Sequence, residues 1–570
     1  MITLPQDFQI NNNAETLVVL LHGITSKTGS LHHVRKVVDE TLESTAILYP
    51  ELPARVLSFA DPNQIVQELL EIMDQVWAGR KPYKRILLIG HSLGALLARK
   101  LYICACGENP DAPFEASIEV KSPRAWAHVV ERIILLAGMN RGWTISHNLS
   151  LTNAISFRAG AVLGHLCLMF NQEPLLFQVR CGAPFITQLR LQWLSMRKHI
   201  HKDVGDALTV QLLGKVDDIV GPDDNIDLVT GRDFIYLDVP WSGHKSVIDM
   251  DASREGQARS AVLKDALLQC PKTLRDQQIL PVDINLLPEE ARKDVTDVVF
   301  VIHGIRDRGF WTHKIAREVK ALGKKVERKF ETETSSYGYF PMLPFLLPWI
   351  RRAKVEWLMN EYVEDLALYP NAQFSFVGHS NGTYLLAKAL EEYPACRFKH
   401  VVFAGSVVPT YYDWGKLTSG KKEAQRVSAV LNYVATADWV VAFFPKLFQL
   451  LHLQDLGSAG HDGFDQDKLS RYQVEYVRGG HNAAIREKHW EDIAHFIVYG
   501  ELNRAITESD HRSPWIVIGG ILSPLIWLAL ILLVVLGGVS LWQNLPIDEW
   551  AKTLVLVLYA GLVWTVVTKV

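Results

Sequence analysis

Two stretches of the chain share one hydrophobic pattern. The run Thr16-Leu17-Val18-Val19-Leu20-Leu21 stops at His22-Gly23-Ile24, and Asp297-Val298-Val299-Phe300-Val301-Ile302 stops in the same way at His303-Gly304-Ile305. Apolar runs without alternation predict strands covered on both faces, as in a parallel sheet. Downstream, Arg85-Ile86-Leu87-Leu88-Ile89 leads through Gly90-His91-Ser92-Leu93-Gly94 into a predicted helix starting Ala95-Leu96-Leu97-Ala98. Its counterpart is Gln373-Phe374-Ser375-Phe376-Val377, then Gly378-His379-Ser380-Asn381-Gly382 and a helix through Tyr384-Leu385-Leu386-Ala387. Further strands are predicted at Ile133–Leu136 and Val401–Ala404. Strands alternating with helices predict an α/β, doubly wound sheet in each half.

The end of the chain has a different pattern. Residues 515–542 carry no charge and have Trp at both ends. As a helix they extend roughly 42 Å, enough to cross about 30 Å of hydrocarbon with tilt. Pro524 is expected to kink this span. In the second span, at about 551–568, the apolar segment Thr553–Thr568 lies between Lys552 and Lys569 and crosses only with snorkelling, so a transmembrane helical hairpin is expected. Arg504 and Arg512 precede the first span, whereas Asp548 and Glu549 sit in the connection, which puts the large remainder on the cytoplasmic side. The predicted organisation is a first domain over 1–270, a linker over 271–294 with three prolines, a second domain over 295–502, and a membrane-anchoring region over 503–570.

Composition narrows the classes. With 59 basic against 62 acidic residues, the chain has no basic excess for nucleic-acid binding. Its six cysteines are scattered without a C-x-x-C pair, in keeping with reduced thiols. Met1–Asp7 shows neither a basic nor an apolar leader segment, so no cleavable signal is expected. The pairs His32-His33 and His199-x-His201 lack a third partner at metal spacing and read as solvated.

The chemistry rests on the two G-x-S-x-G elements. A serine hydroxyl is a weak nucleophile and needs exposure, a base and a place for oxyanion charge. Flanking glycines permit the sharp strand-to-helix turn that lifts the hydroxyl out of the sheet. One such pentapeptide arises by chance in roughly one of five chains this long. Two copies, each between an apolar strand and a helix and each downstream of a strand ending in His-Gly, point to function.

On these residues the sequence resembles the α/β-hydrolase superfamily, in its lipase and esterase branch, over about 14–270 and again 295–500. The resemblance implies a Ser, then an acid, then a His in chain order. The first half offers Ser92, Asp217 within Leu212-Leu213-Gly214-Lys215-Val216-Asp217-Asp218-Ile219-Val220, and His244 after Val239-Pro240-Trp241-Ser242-Gly243, with Asp218 the alternative acid. The second offers Ser380, Asp438 in Thr436-Ala437-Asp438-Trp439-Val440-Val441, and His481 in Gly479-Gly480-His481. His would deprotonate Ser and later protonate the leaving group, while Asp orients the imidazole. The implied oxyanion holes use backbone N–H groups of Ile24 and Leu93, and of Ile305 and Asn381. His91 and His379, beside the serines, are expected to pack or hydrogen-bond rather than catalyse.

The expected activity is carboxylic ester hydrolysis through an acyl-enzyme, with no metal or organic cofactor and with a lipid or acyl ester as substrate. The apolar stretch Ala154–Phe170 reads equally as core packing or as a lid over an acyl pocket, and the strip Tyr339–Trp349 before Arg351-Arg352 as a lid that caps such a pocket or dips into a membrane interface. Thioesterase and protease chemistry share the same triad. A non-catalytic membrane scaffold on hydrolase folds, or a membrane-targeting toxin or defence effector with the same chemistry, are the other classes.

Overall fold

The computed structural model describes all residues except 1, 5–12, 25–27, 56–57, 80–82, 144–172, 200–203, 215–226, 228–233, 279–291, 306, 308, 339, 341, 420–424, 466–471, 504–511 and 570. Asp217, Asp218 and the apolar stretch Ala154–Phe170 therefore lie outside the described residues. The chain forms two compact units. One comprises Met1–Arg292 with Glu356–Pro370 and Glu392–Ala395, and the other comprises Lys293–Val355, Asn371–Glu391 and Cys396–Val570.

The first unit holds six parallel strands: β1 (Thr16–Leu21), β2 (Thr45–Leu48), β3 (Arg85–His91), β4 (Val130–Leu136), β5 (Leu208–Gly214) and β6 (Phe234–Val239). Their order across the sheet is β2-β1-β3-β4-β5-β6. The second unit repeats the plan with β7 (Asp297–Ile302), β8 (Phe330–Glu333), β9 (Gln373–His379), β10 (Phe398–Ala404), β11 (Val427–Ala435) and β12 (Tyr472–Val477). The order β8-β7-β9-β10-β11-β12 is the same topology. Every residue of β1 and β7 is buried, as expected for strands covered by helices on both faces.

This order fixes where ligands can bind. The chain reverses its winding direction between β1 and β3, and between β7 and β9, so a crevice opens at the carboxyl ends of those neighbours. Register sets Leu21 beside Gly90 and Ile302 beside Gly378. Both G-x-S-x-G elements and both His-Gly turns thus arrive together at the switch points.

Three segments depart from the sequence reading. The predicted linker opens with a helix, Pro271–Asp276, because proline suits its first turn and Leu274 packs into the first unit's core. The strip before Arg351-Arg352 is not exposed at its two phenylalanines. Phe340 and Phe345 are buried, and the fully buried Arg351 reaches Asp455 at 2.9 Å and the Phe345 carbonyl at 2.6 Å. Finally, the stretch 515–542 is two helices, Pro514–Ile521 and Ser523–Asn544, parted at Leu522. Pro524 has no N–H to continue the ladder, so the first piece is free to follow its own packing. Ser523–Asn544, with mean hydropathy 2.6, is long and apolar enough to cross a membrane by length and composition. A last helix, Glu549–Lys569, follows, and Tyr559 donates a hydrogen bond to the Val534 carbonyl.

Candidate active site

Each G-x-S-x-G serine sits in a backbone conformation that side chains rarely adopt. Ser92 has φ 53° and ψ −116°, and Ser380 has φ 52°. Such conformations are unfavourable by about 1–3 kcal/mol each and persist only where the surroundings enforce them. Here the enforcement is visible. The strand must end and a helix begin within one residue, and glycines let the helix close onto the neighbouring strand. A Cβ on Gly94 would lie 2.1 Å from the Leu21 carbonyl oxygen, and one on Gly382 would lie 2.5 Å from that of Ile302.

The His-Gly turns crowd the same point. A Cβ on Gly23 would stand 2.9 Å from Ser92 Cβ, and one on Gly304 would stand 2.7 Å from Ser380 Cβ. The backbone of Ile24 and Ile305 therefore runs beside each serine. Leu93 and Asn381 begin their helices, so their N–H groups have no intrahelical acceptor by position. This is the arrangement an oxyanion site needs.

The histidines complete it in complementary ways. In the first unit His244 Nε2 lies 2.9 Å from Ser92 Oγ. Its proposed acid is outside the described residues. In the second unit His481 Nδ1 lies 2.9 Å from Asp438 Oδ2, while Asp438 Oδ1 accepts the Val441 N–H at 3.0 Å and caps the helix Trp439–Phe443. The buried carboxylate only accepts, so His481 donates from Nδ1 and keeps Nε2 as the acceptor. Among the described residues, no hydrogen bond joins Ser380 Oγ to His481. Burial disfavours the charged form of His481, but the Asp438 carboxylate and its hydrogen bond outweigh this and hold the imidazole above its usual 6.5. Gly405, at φ 55°, supports the ring: a Cβ there would be 2.9 Å from His481 Nδ1.

Four further histidines hold the frame. His91 Nε2 donates to the carbonyl of His244 at 2.9 Å, and His379 Nε2 donates to that of His481 at 3.3 Å. Burial and the neighbouring His481 push His379 down to about 3, so it stays neutral while donating. His22 donates from Nδ1 to the Gly23 carbonyl and accepts the Leu52 N–H at Nε2, each at 2.9 Å. His303 repeats the first contact with Gly304 and meets Ser336 Oγ at 2.7 Å. The sequence reading assigned no role to His22 or His303, although their recurrence at both strand ends was the available signal. Tyr337 was also missed. Its hydroxyl donates to the His303 carbonyl at 2.8 Å and accepts from Asn381 Nδ2 at 3.1 Å, tying the His-Gly turn of the second unit to the start of the helix after Ser380. No local pattern marks that tyrosine.

Residues 11–119, which carry the first His-Gly turn and Ser92, match the family described as "Putative serine esterase (DUF676)". No match is found among curated proteins. Similar solved structures include lipase B of Aspergillus fumigatus, 14% identical over 47% of this chain with TM-score 0.30; the chain spans 55% of that lipase's length. Lipase BlEst2 of Bacillus licheniformis is 14% identical over 47% of this chain and 98% of its own, with TM-score 0.29. A soluble variant of monoglyceride lipase from Saccharomyces cerevisiae is 11% identical over 49% of this chain and 92% of its own, with TM-score 0.30. Sheet order, elbow serines and family match place this chain in the α/β-hydrolase superfamily, with one hydrolase sheet in each half.

Proposed function

We propose that the chain is a membrane-anchored serine hydrolase that cleaves lipid or acyl esters through an acyl-enzyme at two sites. The observation that carries this reading is the strained elbow serine within hydrogen-bond reach of a loop histidine, seen as Ser92 with His244. Ser380, with His481 and Asp438, supplies the second nucleophile, base and acid, and Asp217 or Asp218 the acid of the first. In each site His takes the hydroxyl proton as Ser attacks the ester carbonyl. The N–H groups of Ile24 with Leu93, and of Ile305 with Asn381, receive the oxyanion. The same His then protonates the departing alkoxide, and water repeats the sequence to release the acid. The helix Ser523–Asn544 supports anchoring, with Glu549–Lys569 as the returning arm of the hairpin and the hydrolase units on the cytoplasmic side.

Labelling with a fluorophosphonate probe tests the reading. Ser92→Ala and Ser380→Ala are each expected to remove part of the label, and the double variant all of it. Persistent labelling in the double variant would place the nucleophile elsewhere, and none in the wild type would sink the enzyme reading in favour of a scaffold.

The base must be neutral to act, and Asp438 favours the protonated form of His481. Acylation of Ser380, followed in a Ser92→Ala background, is therefore expected to rise with pH through a midpoint above 6.5. A midpoint below that value would show that His481 does not set the profile.

A further inference from the structure

The acid of the second site belongs to a surface that water suits poorly. Asp438 caps the helix Trp439–Phe443, and a second short helix, Pro445–Leu451, follows at once. Trp439, Leu451 and Leu453 are exposed at 50%, 48% and 64%. The helix Pro514–Ile521 packs on this pair with one face only. Gly519 sits where a Cβ would be 2.6 Å from the Phe443 ring, and Gly520 where one would be 2.9 Å from the Ala442 carbonyl oxygen. Its other face leaves Trp515 80% and Ile518 48% exposed.

The contacts that hold these helices are specific. The Ser513 N–H donates to the Thr436 carbonyl at 3.1 Å, two residues from the acid. Asp462 accepts from Lys446 at 2.9 Å and from Arg512 at 3.4 Å, so one carboxylate clamps the helix after the acid to the segment leading into the span. Burial alone would raise the Asp462 carboxyl, but hydrogen bonds from His461 and Ser458 and the Lys446 ammonium hold it well below the usual carboxylate range. Beyond Leu522 the long apolar helix begins. Trp527 Nε1 donates to the Phe443 carbonyl at 3.2 Å, and its ring meets Phe444 edge-on at 5.6 Å. The first turns of the span are thus fixed to the acid helix.

We infer that the helices Trp439–Phe443, Pro445–Leu451 and Pro514–Ile521 form a platform that docks on the lipid bilayer crossed by Ser523–Asn544 and seats the second serine site at its surface. The inference rests on the membrane anchor proposed above. Continuity selects this occupant. A helix of eight residues reaches only about 12 Å, so the exposed face of Pro514–Ile521 stays within about that distance of the start of the span. Tryptophans with leucines at that depth match the boundary between headgroups and acyl chains. The ester presented to Ser380 is then one carried by the membrane.

The test places nitroxide labels on the full chain in phosphatidylcholine nanodiscs, in a background with Cys167, Cys181 and Cys270 replaced by Ser, which leaves the buried Cys104, Cys106 and Cys396. Labels at Leu451→Cys and Ile518→Cys are compared with one at Leu533→Cys within the span, using collision with oxygen, which favours lipid, and with a water-soluble nickel chelate. All three are expected to relax faster with oxygen than with the chelate. Chelate-accessible labels at 451 and 518 beside an oxygen-accessible label at 533 would overturn the platform and leave the anchor standing. A chelate-accessible label at 533 would overturn the anchor and the platform with it. Fluorophosphonate labelling of Ser380 in the same samples reports on the hydrolase chemistry separately.

Discussion

Asparagine in place of Asp438 is expected to lower turnover at Ser380 by about three to four orders of magnitude while leaving the first site untouched. The size follows from proton placement more than from charge alone. Asp438 is fully buried and uses both oxygens: Oδ1 accepts the Val441 N–H and Oδ2 accepts from His481 Nδ1. Asparagine keeps a single oxygen. The helix N–H can only donate, so the amide oxygen turns to Val441 and the NH2 group faces His481. An NH2 donor requires an acceptor at Nδ1, which moves the imidazole proton to Nε2. That nitrogen can then no longer take the proton of Ser380. The cap survives, so folding should be preserved, which separates this variant from one that merely unfolds. Steady-state hydrolysis of a soluble ester in a Ser92→Ala background measures the effect, and a loss below tenfold would remove Asp438 from the acid role.

Much of the frame was legible because its determinants are local. Unbroken apolar runs such as Val298–Ile302, short, rich in β-branched residues and stopped by a glycine turn, fit covered strands, and a glycine-flanked serine after such a run marks the turn into a helix. Chain order within each half then set the β-α alternation. What escaped the sequence depends on partners far along the chain. The strip at 339–349 looked like an exposed lid, yet Arg351 is drawn inward by Asp455, 104 residues away. The kink expected at Pro524 is a break two residues earlier, at Leu522, but the seat of the first piece on Phe443 and Ala442 through Gly519 and Gly520 leaves no mark in the segment's own pattern. Tyr337 was invisible for the same reason. Its two partners, His303 and Asn381, follow two different strands, β7 and β9. His91 and His379 were read as structural from position alone. The structure gives that role a form, a donor aimed at the carbonyl of the next histidine in the site.

The repeated elbow also sets up an internal comparison whose second outcome is as large as the first. Alanine at Gly94 is expected to abolish labelling of Ser92 and to destabilise the first unit by about 3 kcal/mol, with Ser380 still labelled in the same molecule. The added carbon would sit 2.1 Å from the Leu21 carbonyl oxygen, which is backbone in a central strand and cannot turn aside. Relief requires the helix to back away from β1, and the serine moves with it. The corresponding glycines before the serines are predicted to differ. At Gly90 the new carbon meets the Gly94 carbonyl oxygen at 2.2 Å, again backbone. At Gly378 the closest atom is on the Phe376 ring at 2.7 Å, and the nearest backbone atom, the Gly382 carbonyl carbon, is 3.0 Å away. A ring can rotate, so Gly378→Ala should retain measurable Ser380 labelling where Gly90→Ala loses that of Ser92. Gly29→Ala, with nothing within 4 Å, is the reference and should stay within about 0.5 kcal/mol of wild type. Labelling each serine after graded heating reads both units at once. Equal losses at Gly90 and Gly378 would mean that the Phe376 ring does not yield and that neither elbow has room for a side chain before its serine.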